Sequence, residues 1–212
     1  MIHIHSFVFS PFTENTYILS DETQEAVIID PGCNNTQEEN TLHHYIETNA
    51  LKVVKLLNTH CHIDHVFGNQ FIKDTYGVQL YMHRLDIPTL KANKMVAQMY
   101  GIVRFVESEP DVFVEEGDTI EFGNSQLEVL FVPGHAPGHV VFLNRAQKFA
   151  ISGDVLFQMG IGRYDFPGCS YPDLMHSIRH KLFLLEEDLT VYPGHGPTTT
   201  IGFEKINNPF LK

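Results

Sequence analysis

The feature that most constrains the fold of this chain is the run Thr59–His65, which reads Thr-His-Cys-His-Ile-Asp-His. It places three imidazoles and one carboxylate within six consecutive positions. Neutral imidazole nitrogens and carboxylate oxygens suit borderline divalent metals such as zinc, iron and manganese. Four such donors are enough to begin two adjacent metal sites, provided that other parts of the chain bring further donors to them.

Three further candidate ligands lie downstream, each in a turn that contains glycine or proline and follows an apolar, strand-like segment. They are His135, Asp154 and His195. His60 follows the apolar segment 53–57 in the same way. Metal ligands and catalytic residues commonly lie on loops that a rigid sheet holds in place, so these turns supply the context that the first run requires.

The ordered set His-x-His-x-Asp-His, then His, then Asp, then His resembles the metallo-β-lactamase superfamily over nearly the whole chain. The resemblance implies an α/β fold of the αββα four-layer sandwich type, with metal ions along one edge of the two sheets. It also implies two divalent metal ions per chain, zinc foremost, with iron and manganese as alternatives. The implied ligands are His60, His62 and His135 for a first metal, Asp64, His65 and His195 for a second, and Asp154 for both.

The local sequence agrees with this division between two metals. His60 and His62 are two positions apart and can converge from one extended loop. Asp64 and His65 stand where the chain enters a helical pattern, so a change of direction can aim them at a second ion. A carboxylate at Asp154 can offer one oxygen to each cation and offset their repulsion. We predict that Asp64 and Asp154 are the catalytic carboxylates.

Three other residues near these donors are open to interpretation. Asp30 ends a strand-like segment and could either orient a ligand histidine or start a turn. His139 has no position in the implied ligand set, which indicates a structural or supporting role. Cys61 lies between two ligands, but alternation along an extended loop should turn its side chain away from theirs, so we do not expect it to bind metal.

Hydrophobic patterning predicts the secondary structure. Strands are predicted at 3–9, 15–20, 25–30, 53–58, 78–82, 112–114, 118–123, 126–132, 139–144, 148–152 and 189–192. Helices are predicted at 36–49, 65–76, 84–100 and 171–185. The predicted helix signals are Thr36 as N-cap, with Glu39 completing a capping box, Pro172 in a first turn, and Gly77 and Gly101 as stops. The segment 84–111 is interpreted as a surface excursion that could cover the site.

Length and composition favour one domain spanning residues 1–212, because 43% hydrophobic residues can fill a core. No apolar segment reaches the length of a membrane span, and no secretory signal is visible, so we expect a cytoplasmic protein. The three scattered cysteines agree with a reducing compartment. A formal charge of −12 argues against nucleic-acid and anionic-membrane partners. The sequence indicates no oligomeric state.

Two metals that share a water imply metal-assisted hydrolysis, since the water can ionise near neutral pH. Within the superfamily, the stretch 153–163 resembles short bacterial glyoxalase II proteins, the hydroxyacylglutathione hydrolases. The resemblance implies a small glutathione-linked thioester, such as S-lactoylglutathione, cleaved by a metal-bridging hydroxide. It also implies that Arg163 contacts a glutathione carboxylate, with Tyr164 stacking or hydrogen bonding beside it or only packing. The chain departs from longer glyoxalase II proteins in its short C-terminal part and in Pro197, where they carry tyrosine.

Other reactions remain open at this point. Persulfide dioxygenases share the fold but use one iron, which His60, His135 and Asp154 would hold here, and residues 162–166 resemble their Gly-Arg-x-Asp-Phe stretch. A lactonase of the superfamily is a further alternative. Antibiotic hydrolysis is disfavoured, because metallo-β-lactamases proper commonly replace the bridging aspartate, whereas Asp154 is present.

Overall fold

The first half of the chain forms a six-stranded sheet. The computed structural model describes residues 1–212. The strands of this sheet, in sequence and in spatial order, are β1 (His3–Phe9), β2 (Glu14–Ser20), β3 (Glu25–Ile29), β4 (Lys52–Leu57), β5 (Leu80–His83) and β6 (Val112–Val114). The first three strands pair antiparallel, and β3 to β6 pair parallel.

The second half of the chain forms another six-stranded sheet and a small hairpin. Its strands are β7 (Thr119–Phe122), β8 (Ser125–Phe131), β9 (Val140–Asn144), β10 (Phe149–Gly153), β11 (Leu156–Phe157), β12 (Gly160–Ile161), β13 (Thr190–Pro193) and β14 (Thr199–Thr200). The sheet has the order β14-β13-β10-β9-β8-β7, and β11 pairs with β12 outside it. All of its pairs are antiparallel except that of β10 with β13.

Helices cover the outer faces of both sheets. They are α1 (Thr36–Thr48), α2 (Ile63–Val66), α3 (Asn69–Tyr76), α4 (Ile87–Met99), α5 (Tyr171–His180) and α6 (Ile201–Asn207), with 3₁₀ turns at Arg84–Asp86 and Leu182–Leu184. None of these helices is both long enough and apolar enough to cross a bilayer.

Successive side chains along a strand point to opposite faces of the sheet, so each strand contributes side chains to two cores. In β3, Val27 and Ile29 pack between the two sheets, whereas Ile28 packs under α1 and α3. In the second sheet, Val129 joins the core between the sheets and Leu130 packs under α5. The result is four layers in the order helix, sheet, sheet, helix, which confirms the predicted αββα sandwich.

The predicted strands are confirmed to within two residues at each end. The single helix predicted at 65–76 is wrong, because the chain forms α2 and α3 with a break at Gly68, whose N–H donates to the carbonyl of Pro31 at 2.7 Å. The predicted N-cap at Thr36 is wrong by one residue, since the Asn35 side chain accepts from the N–H of Glu38 at 3.0 Å.

The remaining helix signals were predicted correctly, whereas several short elements were not predicted. Pro172 lies in the first turn of α5, and Gly77 ends α3 with a left-handed φ of 65°. Gly101 directly follows the residue that caps α4. The hairpin β11–β12, the strand β14 and the helix α6 were not predicted, because each is too short for a clear hydrophobic period.

Candidate metal centre

The turns that carry the candidate ligands meet at one edge of the sandwich, where backbone hydrogen bonds join the two sheets. The N–H of Val140, at the start of β9, donates to the carbonyl of Thr59 at 2.8 Å. The N–H of Asn15 in β2 donates to the carbonyl of Gly194 at 2.7 Å. These bonds fix the loop after β4 against the second sheet and the turn after β13 against the first.

At this edge the predicted donors form two groups, in each of which the potential ligand atoms lie within 4.8 Å of one another, and a third such group joins Asp30 to His60 and His65. Group 1 is His60, His62 and His135, and group 2 is Asp64, His65 and His195. The structure thus brings together the two sets of residues that the resemblance implied. His62, Asp64 and His195 are only partly buried, so the centre is open to solvent on their side.

Asp154 lies between the two groups. Its Oδ1 is 3.5 Å from Nε2 of His65 in group 2. Its Oδ2 is 3.6 Å from Nε2 of His135 in group 1 and 3.5 Å from Nε2 of His195 in group 2. One carboxylate therefore reaches both groups, as a bridging ligand must.

The chemistry of the buried donors fits divalent cations. Nε2 of His60, Nε2 of His65 and Oδ1 of Asp154 are buried and have no hydrogen-bond partner. An unpaired buried polar atom is costly, and metal coordination is one of the ways in which proteins satisfy it. Nitrogen and carboxylate oxygen together suit zinc, iron or manganese.

Hydrogen bonds from neighbouring residues orient the donors. Asp30 Oδ2 lies 3.1 Å from Nδ1 of His65, and Asp30 Oδ1 accepts the N–H of Thr59 at 2.7 Å. The structure therefore favours the first interpretation of Asp30, in which it orients a histidine of the set. On the other side of the centre, Nε2 of His139 accepts the N–H of Asp154 at 3.0 Å, which gives His139 a supporting role. Such contacts fix ring tautomers and orientation.

Gly194 is required immediately before His195. A Cβ at position 194 would overlap Oδ1 of Asp154 and would come within 2.7 Å of Cε1 of His65. The turn after β13 can therefore bring His195 against the centre only when position 194 has no side chain. This explains the glycine that the sequence shows in the Pro-Gly-His context.

The electrostatics of the two groups differ. Burial lowers the pKa of His60 and His135, and it lowers the pKa of His62 to about 3. For His65, burial acts in the same direction, but the carboxylates of Asp154 and Asp64 outweigh it and raise its pKa well above the usual value. The hydrogen bond to Asp64 similarly raises the pKa of His195 against the effect of burial.

These shifts predict that the two groups respond differently to pH. The pKa values of the group 1 histidines are lowered, whereas those of His65 and His195 are raised, so a metal entering group 2 has to displace protons that group 1 holds less readily. Titration of metal-free protein with zinc should give one equivalent whose affinity changes little with pH. The other should weaken by about tenfold or more for each unit that the pH falls. Equal pH dependence of both equivalents, measured by calorimetry, would contradict this division.

Glu14 is a functional candidate that the sequence reading missed. It is fully buried at the start of β2, with Oε1 4.0 Å from Nδ1 of His65 and without a hydrogen-bond partner, while Oε2 accepts from Thr16 at 2.8 Å. Burial raises its pKa well above the usual value for a carboxyl group. No local pattern indicates this position, because its relation to His65 depends on how β2 packs beside the loop after β4.

The predicted substrate-contact residues lie beside group 1. The backbone carbonyl of Arg163 is 2.8 Å from Nδ1 of His135, and its exposed guanidinium stacks on Phe166 at 4.0 Å while pairing with Asp165 at 3.0 Å. The Phe166 ring lies 5.2 Å from the ring of His62, so Arg163 stands at the rim of the centre. Tyr164 instead packs against Tyr171, at 4.8 Å between ring centroids.

Cys61 does not face the centre. Its side chain is fully buried among Val66, Met82 and Leu90, with Sγ 3.6 Å from the sulfur of Met82. This agrees with the expectation from alternation along the loop.

Known proteins resemble the chain over its whole length. The family model of the metallo-beta-lactamase superfamily matches residues 10–200. Hydroxyacylglutathione hydrolase GloC of Haemophilus influenzae is 38% identical, with 99% of this chain and 98% of that protein covered. Among solved structures, BLEG-1 B3 metallo-beta-lactamase has a TM-score of 0.90 and is 32% identical, covering 99% of this chain and 100% of its own. TTHA1623, solved in a di-iron-bound form, has a TM-score of 0.87 and is 35% identical, covering 98% and 100%.

Proposed function

The chain belongs to the metallo-beta-lactamase superfamily, and we propose that it is a hydroxyacylglutathione hydrolase that cleaves a thioester such as S-lactoylglutathione. The family match and the relatives named as hydrolases support a metal-dependent hydrolase. The observation that carries the hydrolytic part of the proposal is the position of Asp154, with one oxygen toward group 2 and the other between groups 1 and 2. The full-length similarity to GloC supports the choice of substrate.

We propose that the seven predicted donors hold two divalent cations, with zinc the expected ion. Bound there, the cations would supply Lewis acidity and would lower the pKa of a shared water from about 15.7 to about 7. The ionised Asp154, whose pKa the neighbouring His65 holds far below its usual value despite burial, keeps the two groups together. Asp64 lies on the open side of the centre, with Oδ2 3.1 Å from Nε2 of His195, and we propose that it is the second catalytic carboxylate.

A thioester is a suitable substrate for a centre that has few catalytic groups besides its metal ligands. Sulfur donates weakly into the carbonyl, and thiolate is a good leaving group, so the nucleophile and the polarised carbonyl are sufficient. The oxygen of hydroxide bonds to the thioester carbon, the carbon–sulfur bond breaks, and the thiol and the hydroxy acid are the products. We expect a small-molecule substrate rather than a nucleic acid or a membrane, and a cytoplasmic enzyme of one domain spanning residues 1–212.

Arg163 provides a cation at the rim for an anionic substrate. Its guanidinium is 62% exposed and already pairs with Asp165, so a substrate carboxylate must use the remaining N–H groups or displace Asp165. The stacking on Phe166 holds the guanidinium plane beside His62. Tyr164 is a weaker candidate for substrate contact, because its ring packs on Tyr171.

Replacing Arg163 by alanine should raise KM for S-lactoylglutathione about tenfold and change kcat by less than about threefold. The reason is that an exposed charge-assisted contact contributes about 1–1.5 kcal/mol to binding and acts equally in the ground and transition states. A neutral thioester, such as an N-acetylcysteamine thioester, is the matched control and should show no change in KM. Unchanged KM for both substrates would remove Arg163 from the binding site.

Two other reactions have specific support and serve as competing outcomes. Residues 162–166 favour a persulfide dioxygenase, and the similarity to BLEG-1 favours lactam hydrolysis. The decisive experiment assays four activities on one preparation, with metals counted per chain: S-lactoylglutathione hydrolysis, lactone hydrolysis, lactam hydrolysis, and oxygen uptake with glutathione persulfide. A kcat/KM for S-lactoylglutathione at least a hundredfold above the others, with two metals per chain, supports the proposal. Oxygen uptake with one iron, or a preference for lactam or lactone, rejects it.

A further inference from the structure

Two buried side chains hold both backbone groups of Cys61, the residue between His60 and His62. Oδ2 of Asp86 accepts the N–H of Cys61 at 2.7 Å. Nδ2 of Asn93, in α4, donates to the carbonyl of Cys61 at 2.9 Å. Both side chains are essentially inaccessible, at 0% and 2% exposure. The peptide planes on either side of Cys61 are therefore fixed, and these planes determine where the two neighbouring histidines point.

Asp86 also binds the turn that carries the third histidine of group 1. Its Oδ1 accepts the N–H of Gly138 at 2.7 Å, three residues after His135. A Cβ at position 138 would lie 2.7 Å from the backbone N of Asp86 and 2.9 Å from its Cβ, so this approach requires glycine. One carboxylate thus spans the loop after β4 and the turn after β8, which together supply all three members of group 1.

This carboxylate has no cationic partner within salt-bridge distance, and its two oxygens are matched to two backbone donors. Burial raises the pKa of Asp86 to about 6, and the two N–H groups oppose that rise. Hydrogen bonds to an ionised acceptor are stronger than neutral ones, and a buried pair that loses one member leaves the other unsatisfied. Residues 84–99 therefore pack against the loops of group 1, so the interpretation of 84–111 as a surface excursion is wrong for this part of the segment.

We propose that Asp86 and Asn93 are positioning residues, which form a clamp on Cys61 and Gly138 and thereby set the metal affinity of group 1. The clamp touches no ligand atom and acts only through the backbone geometry of the two loops. The inference rests on the proposed metal centre, but it is independent of which substrate is cleaved.

Asp86→Asn and Asn93→Ser test the clamp. The first replaces one acceptor by an amide that faces a backbone N–H, and the second removes the donor to the Cys61 carbonyl. Metal-free protein is titrated with zinc by competition against a chromophoric chelator, and cobalt-loaded protein is followed by its visible absorption spectrum. We expect the dissociation constant of the group 1 metal to rise about 10- to 100-fold in each variant. The affinity of group 2 should change less, and kcat should fall with little change in KM.

Asn208→Ser is the matched control. Asn208 is also buried and also donates to a backbone carbonyl, that of Gly160 at 3.0 Å, but it lies outside both loops of group 1. This variant should lower Tm as Asn93→Ser does, yet leave the zinc affinity and the cobalt spectrum of group 1 unchanged. Lys91→Ala, on the exposed side of α4, should change none of these quantities.

The outcomes separate the clamp from the proposed function. If the variants fold and the dissociation constant of their group 1 zinc stays within twofold of that of the unmodified chain, the clamp is overturned. The hydrolase proposal is then unaffected. If the variants weaken group 1 binding but the unmodified chain does not hydrolyse thioesters, the proposed function is overturned and the clamp is supported. If the unmodified chain binds no zinc, both are rejected. If Asp86→Asn fails to fold, the dissociation constant of the group 1 zinc in the milder Asn93→Ser variant decides whether the clamp is accepted.

Discussion

Replacing Asp154 by alanine is expected to lower kcat/KM for the thioester by about a thousandfold or more, equivalent to about 4 kcal/mol of transition-state stabilisation. Asp154 is the only carboxylate whose oxygens lie within 4 Å of histidines in both groups. Without it, two cations would repel each other across a distance of about 4 Å with no anion between them. We therefore also expect the metal content to fall from two ions per chain to one or none, as measured by elemental analysis.

Two variants show whether this effect is specific. Asp154→Asn keeps the shape but removes the charge, and it should retain more metal than the alanine variant while remaining strongly impaired. Asp173→Ala removes an exposed aspartate at the start of α5 and should leave both metal content and kcat/KM unchanged. Full activity of Asp154→Ala with two metals retained would exclude a bridging role for this carboxylate.

The sandwich could be predicted from the sequence because each strand carries its own signal. In β8, for example, Leu127 and Val129 alternate with Gln126 and Glu128, and this pattern indicates both the strand and the face that packs between the sheets. The two ligand groups were implied by the resemblance, which rests on four donors in one short run and three more in recognisable turns. The arrangement of the strands into two sheets followed from the resemblance, since local propensity does not choose among layered folds.

The residues that support the ligands could not be predicted, because their partners are distant in sequence. Asp86 is 25 residues from Cys61 and 52 from Gly138, and its neighbours along the chain suggest only the start of a helix. Glu14 comes close to His65 only because β2 lies beside the loop after β4. Asp30 was the exception, since its position at a strand end made a contact with a ligand histidine a reasonable hypothesis.

The same residues explain why the centre should hold metal tightly. Four carboxyl groups, those of Glu14, Asp30, Asp64 and Asp154, lie around His65. In metal-free protein Asp64 and Asp154 raise the pKa of His65 and His195, so protons on these rings balance the two carboxylates. Cations would replace those protons and would satisfy the buried atoms of His60, His65 and Asp154 that have no other partner. Metal binding and folding stability are therefore coupled.

Removal of metal with a chelator should consequently abolish activity and lower Tm. An ion present at a thousand times its dissociation constant stabilises the folded state by about 4 kcal/mol, which for a chain of this size corresponds to about 8–16 °C in Tm. We expect metal-free protein to keep its far-ultraviolet circular dichroism, because the three main hydrophobic clusters lie within the sandwich rather than at the metal centre. Differential scanning calorimetry with and without metal measures the shift.

Addition of zinc, iron(II) or manganese(II) to separate samples of the stripped enzyme should restore both properties, and the ion that gives the highest kcat/KM identifies the most effective cofactor. Asp154→Ala supplies the internal control, because a centre that no longer joins its two groups should gain less in Tm from the same metal. Activity that persists with less than about 0.1 metal per chain would contradict metal-dependent hydrolysis altogether. A gain in Tm without recovery of thioester hydrolysis would support the metal centre but reject the proposed substrate. Stability depends on the donors alone, whereas turnover also depends on the contacts at the rim around Arg163.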